Sequence, residues 1–252
     1  MTGFDARWEE HAHWWQREFT DGADPEYEEQ IIPLLLERLG RRDLVLDIGT
    51  GEGQLARAMR HHTSADVVGL DPARAQIVEA ARRGGVTGWA QATCSDLPIV
   101  ADAADAVVVC LVFEHVDDLD AAVGEIARVL RPGGRLLLFL NHPLLQTPGS
   151  GMIVDHMIEP PETYWRIGPY LPESATVEEV HKDVFVRFVH RPLGRYVNCL
   201  LDAGLRLTHL AEPEPPPGFI AKAHEYEHEV VRTTPRLLLL EAEKPVGNMV
   251  DK

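Results

Sequence analysis

The feature that most constrains this chain is a short apolar run that leads directly into three closely spaced glycines. Leu44–Ile48 is apolar enough for a buried parallel strand, and Gly49, Gly51 and Gly53 lead into a helix predicted over 53–62. A turn of this kind presents backbone N–H groups to a ligand, and glycine lets the ligand approach closely. The pattern therefore indicates a small-molecule site in an α/β fold.

Strand and helix patterns alternate from residue 43 to residue 141. After the glycines, the predicted order is strand 66–70, helix 73–83, strand 88–92, strand 105–111, helix 119–130 and strand 135–140. This alternation predicts an α/β, doubly wound parallel sheet with helices on both faces. Ligands of such folds bind at the carboxyl ends of the strands, which is where the glycines lie.

The flanking segments have different patterns. Residues 143–178 are rich in proline and aromatic residues and are predicted to form an irregular lid. Further elements are predicted as an N-terminal helix over 8–19 with three tryptophans, strand 182–190, helix 192–203 and strands 205–210 and 236–243. In the 182–190 strand, Val184, Val186 and Phe188 share one face.

The glycines alone permit two kinds of ligand. Residues 51–56 match the relaxed dinucleotide fingerprint G-x-G-x-x-A, and Asp71 lies 20 residues beyond Gly51, where a ribose-binding acid is expected. Asp47 and Glu52, however, make the turn acidic. Nearby negative charges repel a pyrophosphate, so the turn favours a cationic ligand over a dinucleotide.

Four motifs in order carry a resemblance to a known family. They are the 44–53 segment LVLDIGTGEG, Gly69-Leu70-Asp71-Pro72, Cys94-Ser95-Asp96-Leu97-Pro98, and the 130–136 segment LRPGGRL. Together they resemble class I methyltransferases that depend on S-adenosylmethionine (SAM), in particular the small-molecule group that includes the ubiquinone and menaquinone biosynthetic enzymes. SAM carries an ammonium and a sulfonium, which suit an acidic turn.

The resemblance implies a Rossmann-like, seven-stranded and mostly parallel sheet with an inserted lid. It also implies one methyltransferase domain over 1–252. Its expected parts are an N-terminal helical cap at 1–40, a SAM-binding core at 41–141, a substrate-side insertion at 142–190, and a C-terminal helix and strands at 191–252 that complete the sheet.

The resemblance also implies which residues hold SAM and its product S-adenosylhomocysteine. The implied set is Asp47, Gly49, Gly51, Gly53, Asp71, Pro72, Asp96, Leu97, Cys110 and Leu111. The glycines would line the methionine part, Asp71 would accept both ribose hydroxyls, and Asp96 would accept the adenine amine, with the Leu97 N–H near a ring nitrogen. Two alternatives stay open: Asp71 also fits a helix cap, and Asp96 fits a turn acid.

Two histidines follow neighbouring predicted strands and are candidates for catalysis. His142 comes directly after the 135–140 strand, and His115 follows the 105–111 strand. An imidazole is well suited to accept a proton near neutral pH, so His142 is our first hypothesis for a general base. A structural role for His142 is the alternative, and His115 is expected to be structural or adjacent to SAM rather than the base.

The 142–190 segment contains further candidates for acceptor binding. Its aromatic cluster consists of Tyr164, Trp165, Arg166 and Tyr170. These residues fit the wall of an acceptor pocket, and they equally fit a small core that holds the insertion together. We predict no metal site, because the 105–111 strand does not end in an aspartate and the His224 and His228 pair lies in an acidic segment typical of a solvated surface.

The composition limits the kinds of partner and the cellular location that we expect for this chain. The net charge of −16 disfavours nucleic acid, and no apolar run reaches the roughly 18 residues of a membrane span. The first ten residues lack a secretory pattern, and three separated cysteines indicate a reducing environment, so we expect a cytoplasmic monomer or homodimer.

The favoured function is methyl transfer to an oxygen of a small molecule. The alternatives are an N- or C-methyltransferase, an NAD-dependent oxidoreductase, or a SAM-binding protein without catalysis.

Overall fold

The computed structural model describes residues 6–20 and 24–247. In that part of the chain, seven strands form one central sheet: β1 (Leu44–Ile48), β2 (Asp66–Asp71), β3 (Gly88–Gln91), β4 (Ala104–Cys110), β5 (Leu130–Asn141), β10 (Arg206–Ala211) and β11 (Leu237–Glu243). Two separate hairpins supply β6 (Gly151–Asp155) with β7 (Glu162–Arg166), and β8 (Ser174–His181) with β9 (Val184–His190).

Helices surround this sheet. They are α1 (Arg7–Glu10), α2 (Ala12–Glu18), α3 (Ile32–Leu39), α4 (Gln54–His62), α5 (Arg74–Arg83), α6 (Leu119–Val129), α7 (Leu193–Asp202), α8 (Pro217–Ile220) and α9 (His228–Thr233). A π-helical turn, Tyr27–Ile31, precedes α3. Among the described residues, no helix has the length and apolar character needed to cross a membrane.

The strand order is β3-β2-β1-β4-β5-β11-β10. Neighbours from β3 to β5 are parallel, while β11 is antiparallel to both β5 and β10. β4 is buried along its whole length, which explains its almost continuous apolar sequence. The predicted doubly wound, seven-stranded and mostly parallel sheet is therefore confirmed.

The two faces of the sheet are buried against different helices. On one face Leu46 and Ile48 of β1 pack in a core with side chains of α6 and α7. On the other face Val45 packs with side chains of α3 and α4. The alternation of side chains along the strand sends consecutive residues to opposite cores, so both faces are covered and the carboxyl edge stays accessible.

The flanking segments differ from their predicted form. Residues 143–178 were expected to be irregular, but they contain β6, β7 and the start of β8. Val184 and Val186 of β9 are buried, as the alternation predicted, whereas Phe188 is only half-buried. The N-terminal helix expected over 8–19 is divided into α1 and α2 at His11, while residues 1–5 and 21–23 of the predicted cap lie outside the described ranges.

Candidate active site

A cavity of about 570 Å³ opens at the carboxyl ends of β1, β2 and β4. We call it the cavity. Its wall is formed by the N-terminal helices and the loops that follow these strands: Trp8, Trp15, Tyr27, Ile48, Gly49, Asp71, Pro72, Ala73, Gln76, Ala92, Thr93, Cys94, Ser95, Cys110, Leu111, Val112, His115, Val116, Asp117, Asp118 and Ala121. The size is typical of small-molecule sites.

Gly49 begins the turn after β1 and lies on the cavity wall. Its φ of 71° is in the left-handed region, and a Cβ there would lie 2.2 Å from Val112 Cγ2. Glycine is therefore required for the Val112 side chain to close against the turn. The N–H groups of Gly49 and Thr50 donate to the Leu70 carbonyl, at 2.8 and 3.0 Å, so they tie the turn to β2 instead of facing the cavity.

Gly51 and Gly53 are not on the cavity wall. The Gly51 N–H donates to Asp71 Oδ2 at 2.9 Å. At Gly53, a Cβ would lie 2.2 Å from the Trp89 ring, so this glycine makes room for a side chain of β3. Of the three predicted glycines, the structure brings only Gly49 to the cavity.

The two acids of the turn have different surroundings. Asp47 is buried, accepts a hydrogen bond from Thr50 Oγ1 at 2.6 Å, and lines a small space of about 40 Å³ that shares Gly49 and Cys110 with the cavity. Burial raises the pKa of Asp47 to about 6. Glu52 instead pairs with Arg57 and with Arg83 (3.1 Å), which neutralise it. The acidity of the turn therefore depends on Asp47 alone.

Asp71 ends β2 and lies on the cavity wall. Its Oδ1 accepts from the Ala73 N–H at 2.8 Å and its Oδ2 from the Gly51 N–H at 2.9 Å. These bonds fix the carboxylate and tie it to the start of α5, and each oxygen retains a further lone pair. Burial raises the pKa of Asp71 to about 6. Its neighbour Pro72 also lines the cavity.

The loop after β3 meets the cavity at other residues than predicted. Thr93, Cys94 and Ser95 line it, whereas Asp96 is exposed and outside it. Leu97 is buried in the core, and its N–H donates to Glu125 Oε2 at 2.9 Å. The motif that carries the resemblance thus contributes Cys94 and Ser95 to the wall, but neither of the two residues that the resemblance implied, Asp96 and Leu97.

The end of β4 forms another part of the wall. Cys110 and Leu111, both predicted, lie on it. Leu111 has a φ of 55°, a left-handed conformation that costs a non-glycine residue roughly 1 kcal/mol, and its N–H donates to Phe139 O at 2.9 Å. Such strain is commonly found at functional sites, and here it turns the chain towards the segment that carries His115.

The two candidate histidines lie in different environments. His115 lines the cavity, and the centroid of its ring lies 4.6 Å from that of Trp8 and 4.8 Å from that of Phe188. Its Nδ1 donates a hydrogen bond to the Arg187 carbonyl at 2.8 Å. In the neutral imidazole this bond places the lone pair on Nε2.

His142 is buried away from the cavity wall. Its Nδ1 accepts from the Leu144 N–H at 3.1 Å, and its Nε2 donates to Glu212 at 2.8 Å. These bonds engage both ring nitrogens. The structure therefore gives His142 the surroundings of a structural histidine.

The aromatic residues on the wall come from the N-terminus. Trp8, Trp15 and Tyr27 all line the cavity. Gln16 Nε2 donates to Gln76 Oε1 at 2.9 Å, which joins α2 to α5. Sequence reasoning did not include these aromatic residues in the site; the presence of three tryptophans within one short helical segment was the available signal.

None of the four predicted residues of the insertion reaches the cavity wall. Tyr164 is 49% exposed, the Trp165 ring is half-buried, and Arg166 donates to the Gly149 carbonyl at 3.1 Å. The Tyr170 hydroxyl accepts from the Leu193 N–H at 2.8 Å, which is a structural contact. The insertion instead approaches the site through β9, at Arg187.

The charges of the cavity suit SAM. In the described ranges, no lysine or arginine lines it, whereas three aspartates do: Asp71, Asp118, and Asp117, which pairs with Arg187 at 2.8 Å. Asp71 and Asp118 would repel a pyrophosphate, but the ammonium and sulfonium of SAM would be favoured. Nor do the described residues contain a group of three or more His, Cys, Asp or Glu placed to hold a metal ion.

This sheet order, with a buried acid at the end of β2 and a cavity beside it, defines the class I SAM-dependent methyltransferase fold. Residues 46–138 match the family model described as a methyltransferase domain. Residues 46–138 thus correspond to a methyltransferase domain, and the resemblance carried by the four motifs is confirmed.

Curated relatives match slightly less than half of the chain. The demethylmenaquinone methyltransferase of Thermus thermophilus is 35% identical over 122 residues, which are 46% of this chain and 54% of that one. The ubiquinone/menaquinone biosynthesis C-methyltransferase of Syntrophotalea carbinolica is 34% identical over 113 residues, 43% and 46% of the two chains. The chain thus spans about half the length of these relatives.

A solved structure extends the likeness to most of the chain. The SAM-dependent methyltransferase from Mesorhizobium loti is 25% identical, with a TM-score of 0.72 over 88% of this chain and 99% of that one. A geranyl diphosphate C-methyltransferase from Streptomyces coelicolor, solved with Mg²⁺, geranyl diphosphate and S-adenosylhomocysteine, shares the fold with a TM-score of 0.63 at 17% identity, over 95% and 99% of the two chains.

Proposed function

We propose that this chain transfers the methyl group of SAM to an oxygen of a small, uncharged molecule bound in the cavity. The observation that carries the proposal is the placement of Asp71 and His115 on the wall of one cavity whose described lining includes no lysine or arginine. SAM supplies an electrophilic methyl group on a sulfonium. The chain's own residues have to bind it, orient the acceptor and remove a proton.

The donor would be held by residues of β1, β2 and the loops after β3 and β4. Asp71 accepts the ribose hydroxyls, since each of its oxygens has a lone pair left after its backbone bond. We assign Thr93, Cys94 and Ser95 to the adenine in place of Asp96 and Leu97, because they lie on the wall. Asp47 favours the cationic end of SAM from the adjoining space.

We assign the proton transfer to His115 in place of His142. The Arg187 carbonyl fixes the proton of neutral His115 on Nδ1, so Nε2 is the atom that accepts the proton of the acceptor hydroxyl. With SAM bound, the methyl group would pass from sulfur to that oxygen, and S-adenosylhomocysteine would leave with the electron pair of the broken C–S bond. The Nε2–H of His142 donates a hydrogen bond to Glu212, and its Nδ1 accepts one from the Leu144 N–H, so both ring nitrogens are engaged within the fold. It therefore holds the start of the insertion to Glu212.

The charges on the cavity wall also favour an uncharged acceptor. A phosphate or carboxylate in the cavity would meet Asp71 and Asp118, with no lysine or arginine among the described lining residues and with Arg187 already paired to Asp117. Trp8 and Trp15 offer apolar ring surface to a neutral acceptor. Methyl transfer to carbon is the second candidate, because the Syntrophotalea relative bears the name of a C-methyltransferase.

The first test is binding of SAM and S-adenosylhomocysteine by calorimetry and by the shift in Tm. We expect both to bind wild-type protein and Asp71→Ala to lose the shift. Without a shift in the wild type, the proposal fails.

The second test is turnover, followed by release of S-adenosylhomocysteine with a panel of uncharged hydroxylated acceptors, and NMR of the product identifies the methylated atom. His115→Gln should lower kcat at least about tenfold, while His142→Ala should keep the pH dependence of kcat between about pH 6 and 9. Binding without turnover on any acceptor would indicate a non-catalytic SAM-binding protein.

A further inference from the structure

Arg191 is a buried cation that the proposed reaction does not use. It follows β9 and precedes α7, and its side chain is 2% exposed. Its guanidinium donates to three carbonyls of one short turn: Phe113 at 3.0 Å, Val116 at 2.7 Å and Asp117 at 2.8 Å. This turn, residues 113–117, includes His115 and supplies Val116 and Asp117 to the cavity wall.

The charge of Arg191 is poorly compensated for its burial. Its nearest acid is the half-exposed Glu173 at 3.5 Å, and the buried Glu114 also attracts it. Burying a guanidinium is costly, so charge pairing alone is a weak reason for its presence. A planar group with several fixed donors can, however, hold three carbonyls in one arrangement, which no apolar residue of similar volume can do.

The same turn is tethered at two further consecutive residues. Glu114, 3% exposed, accepts through Oε1 from the N–H and Nδ2 of Asn141 at 3.2 and 2.8 Å. His115 donates to the carbonyl of Arg187. The turn is thus held by β5, by β9 and by Arg191, and two of these three supports belong to the insertion or directly follow it.

We propose that Arg191 is a positioning residue for methyl transfer, because it sets the place of the His115 ring and of the acceptor-side wall. This inference rests on the proposed function. The contacts of Arg191 are with the 113–117 turn and not with Asp71, Gly49 or the 93–95 loop, so it acts on the acceptor side and not on SAM. The insertion is thereby coupled to the reaction although its own aromatic cluster stays outside the cavity.

The test compares Arg191→Lys with Arg195→Lys as a matched control. Lysine keeps the charge but cannot span three carbonyls, and small misplacements at a reacting centre cost up to about a hundredfold in rate. We expect Arg191→Lys to lower kcat by about ten- to a hundredfold and to raise the acceptor KM, with the Kd of SAM changed less than about threefold. Arg195 pairs with Asp120 and also with Glu173, the acid beside Arg191, so Arg195→Lys controls for disturbance of that ion pair and should keep kcat close to the wild-type value.

Guanidinium rescue of Arg191→Ala separates positioning from folding, because the added ion can restore the three donors without restoring the side chain. An equal loss of kcat and SAM affinity, proportional to the fraction unfolded, would show a purely structural role. The NMR signal of the His115 ring gives a readout without turnover. Its chemical shift should differ from that of the wild type in Arg191→Lys and equal it in Arg195→Lys. A wild-type chemical shift in Arg191→Lys overturns the positioning role. A moved signal in a protein that methylates nothing overturns the proposed function alone.

Discussion

Gly49 leaves the space that the Val112 side chain fills at the edge of the cavity. An alanine there would place its Cβ 2.2 Å from Val112 Cγ2, in a backbone conformation with a φ of 71°. Both effects push the turn away from the end of β4. We expect Gly49→Ala to weaken SAM binding at least about tenfold, and to destabilise the fold by roughly 1–3 kcal/mol, measured by calorimetry and urea unfolding.

Two variants check the cause of that loss. Gly124 lies in α6, and a Cβ added there would point into open space, so Gly124→Ala should leave SAM binding unchanged. Adding Val112→Ala to Gly49→Ala removes the methyl groups that clash and should recover part of the affinity. If the double variant binds no better than Gly49→Ala, backbone strain and not the Val112 contact is responsible.

At the residue scale, loops were more predictable from the sequence than side chains. Asp71 and Cys110 lie on the cavity wall, because a strand end places its last residue there in any parallel sheet. The resemblance implied Asp96 and position favoured His142, and neither reaches the wall. A hydrogen bond such as that of His142 to Glu212, 70 residues away, depends on tertiary packing that no local pattern encodes.

At the scale of elements, α3 is joined to the sheet by a buried ion pair. Arg38 of α3 bonds to Glu241 of β11, whose side chain is 3% exposed. Arg38→Met would leave the Glu241 carboxylate buried without its partner, so we expect the free energy of unfolding to fall by about 2 kcal/mol. The expected decrease is smaller than for a fully buried pair because Arg38 is partly exposed. Urea unfolding measures the change.

The double variant tests whether the isolated charge causes that loss. Arg38→Met with Glu241→Leu removes both partners and should be markedly more stable than Arg38→Met alone. If the two are equally unstable, the packing of the Arg38 stem, and not the unpaired carboxylate, explains the effect.

The elements of the central sheet and β9 of the insertion were predictable, whereas β6, β7 and β8 of the insertion were not. β4 is buried throughout, so its sequence is continuously apolar. β7 and β8 are largely exposed hairpin strands, so few of their residues must be apolar and the alternation that would reveal them is weak. The N-terminal helices reach the site only through tertiary packing on α5 and β9, which the sequence pattern does not specify.

At the scale of the whole molecule, buried carboxylates link stability and binding to pH. Burial raises the pKa of Asp47 and of Asp71 to about 6, and that of Glu114 to about 7. The folded protein therefore holds protons on these groups more tightly than the unfolded chain does. We therefore expect these three groups to lower the free energy of unfolding of the ligand-free protein as pH rises through about 4 to 7, because their charged forms are then buried.

SAM should reverse part of this dependence. Its ammonium and sulfonium favour ionised Asp47 and its ribose hydroxyls favour ionised Asp71, so SAM binding releases protons near pH 6 and strengthens as pH rises through about 6. We expect the SAM-induced increase in Tm to be larger at about pH 8 than at about pH 5, although the ligand-free protein is less stable at the higher pH. Thermal unfolding with and without SAM across this range measures both trends.

Calorimetry in two buffers of different ionisation enthalpy counts the released protons directly. Asp71→Asn is the matched variant, since it keeps the shape but carries no charge at any pH. It should bind SAM more weakly, release fewer protons and show a flatter pH dependence than the wild type. Equal proton release by the two proteins would mean that Asp71 is already ionised in the free state, and Asp47 would then carry the linkage alone.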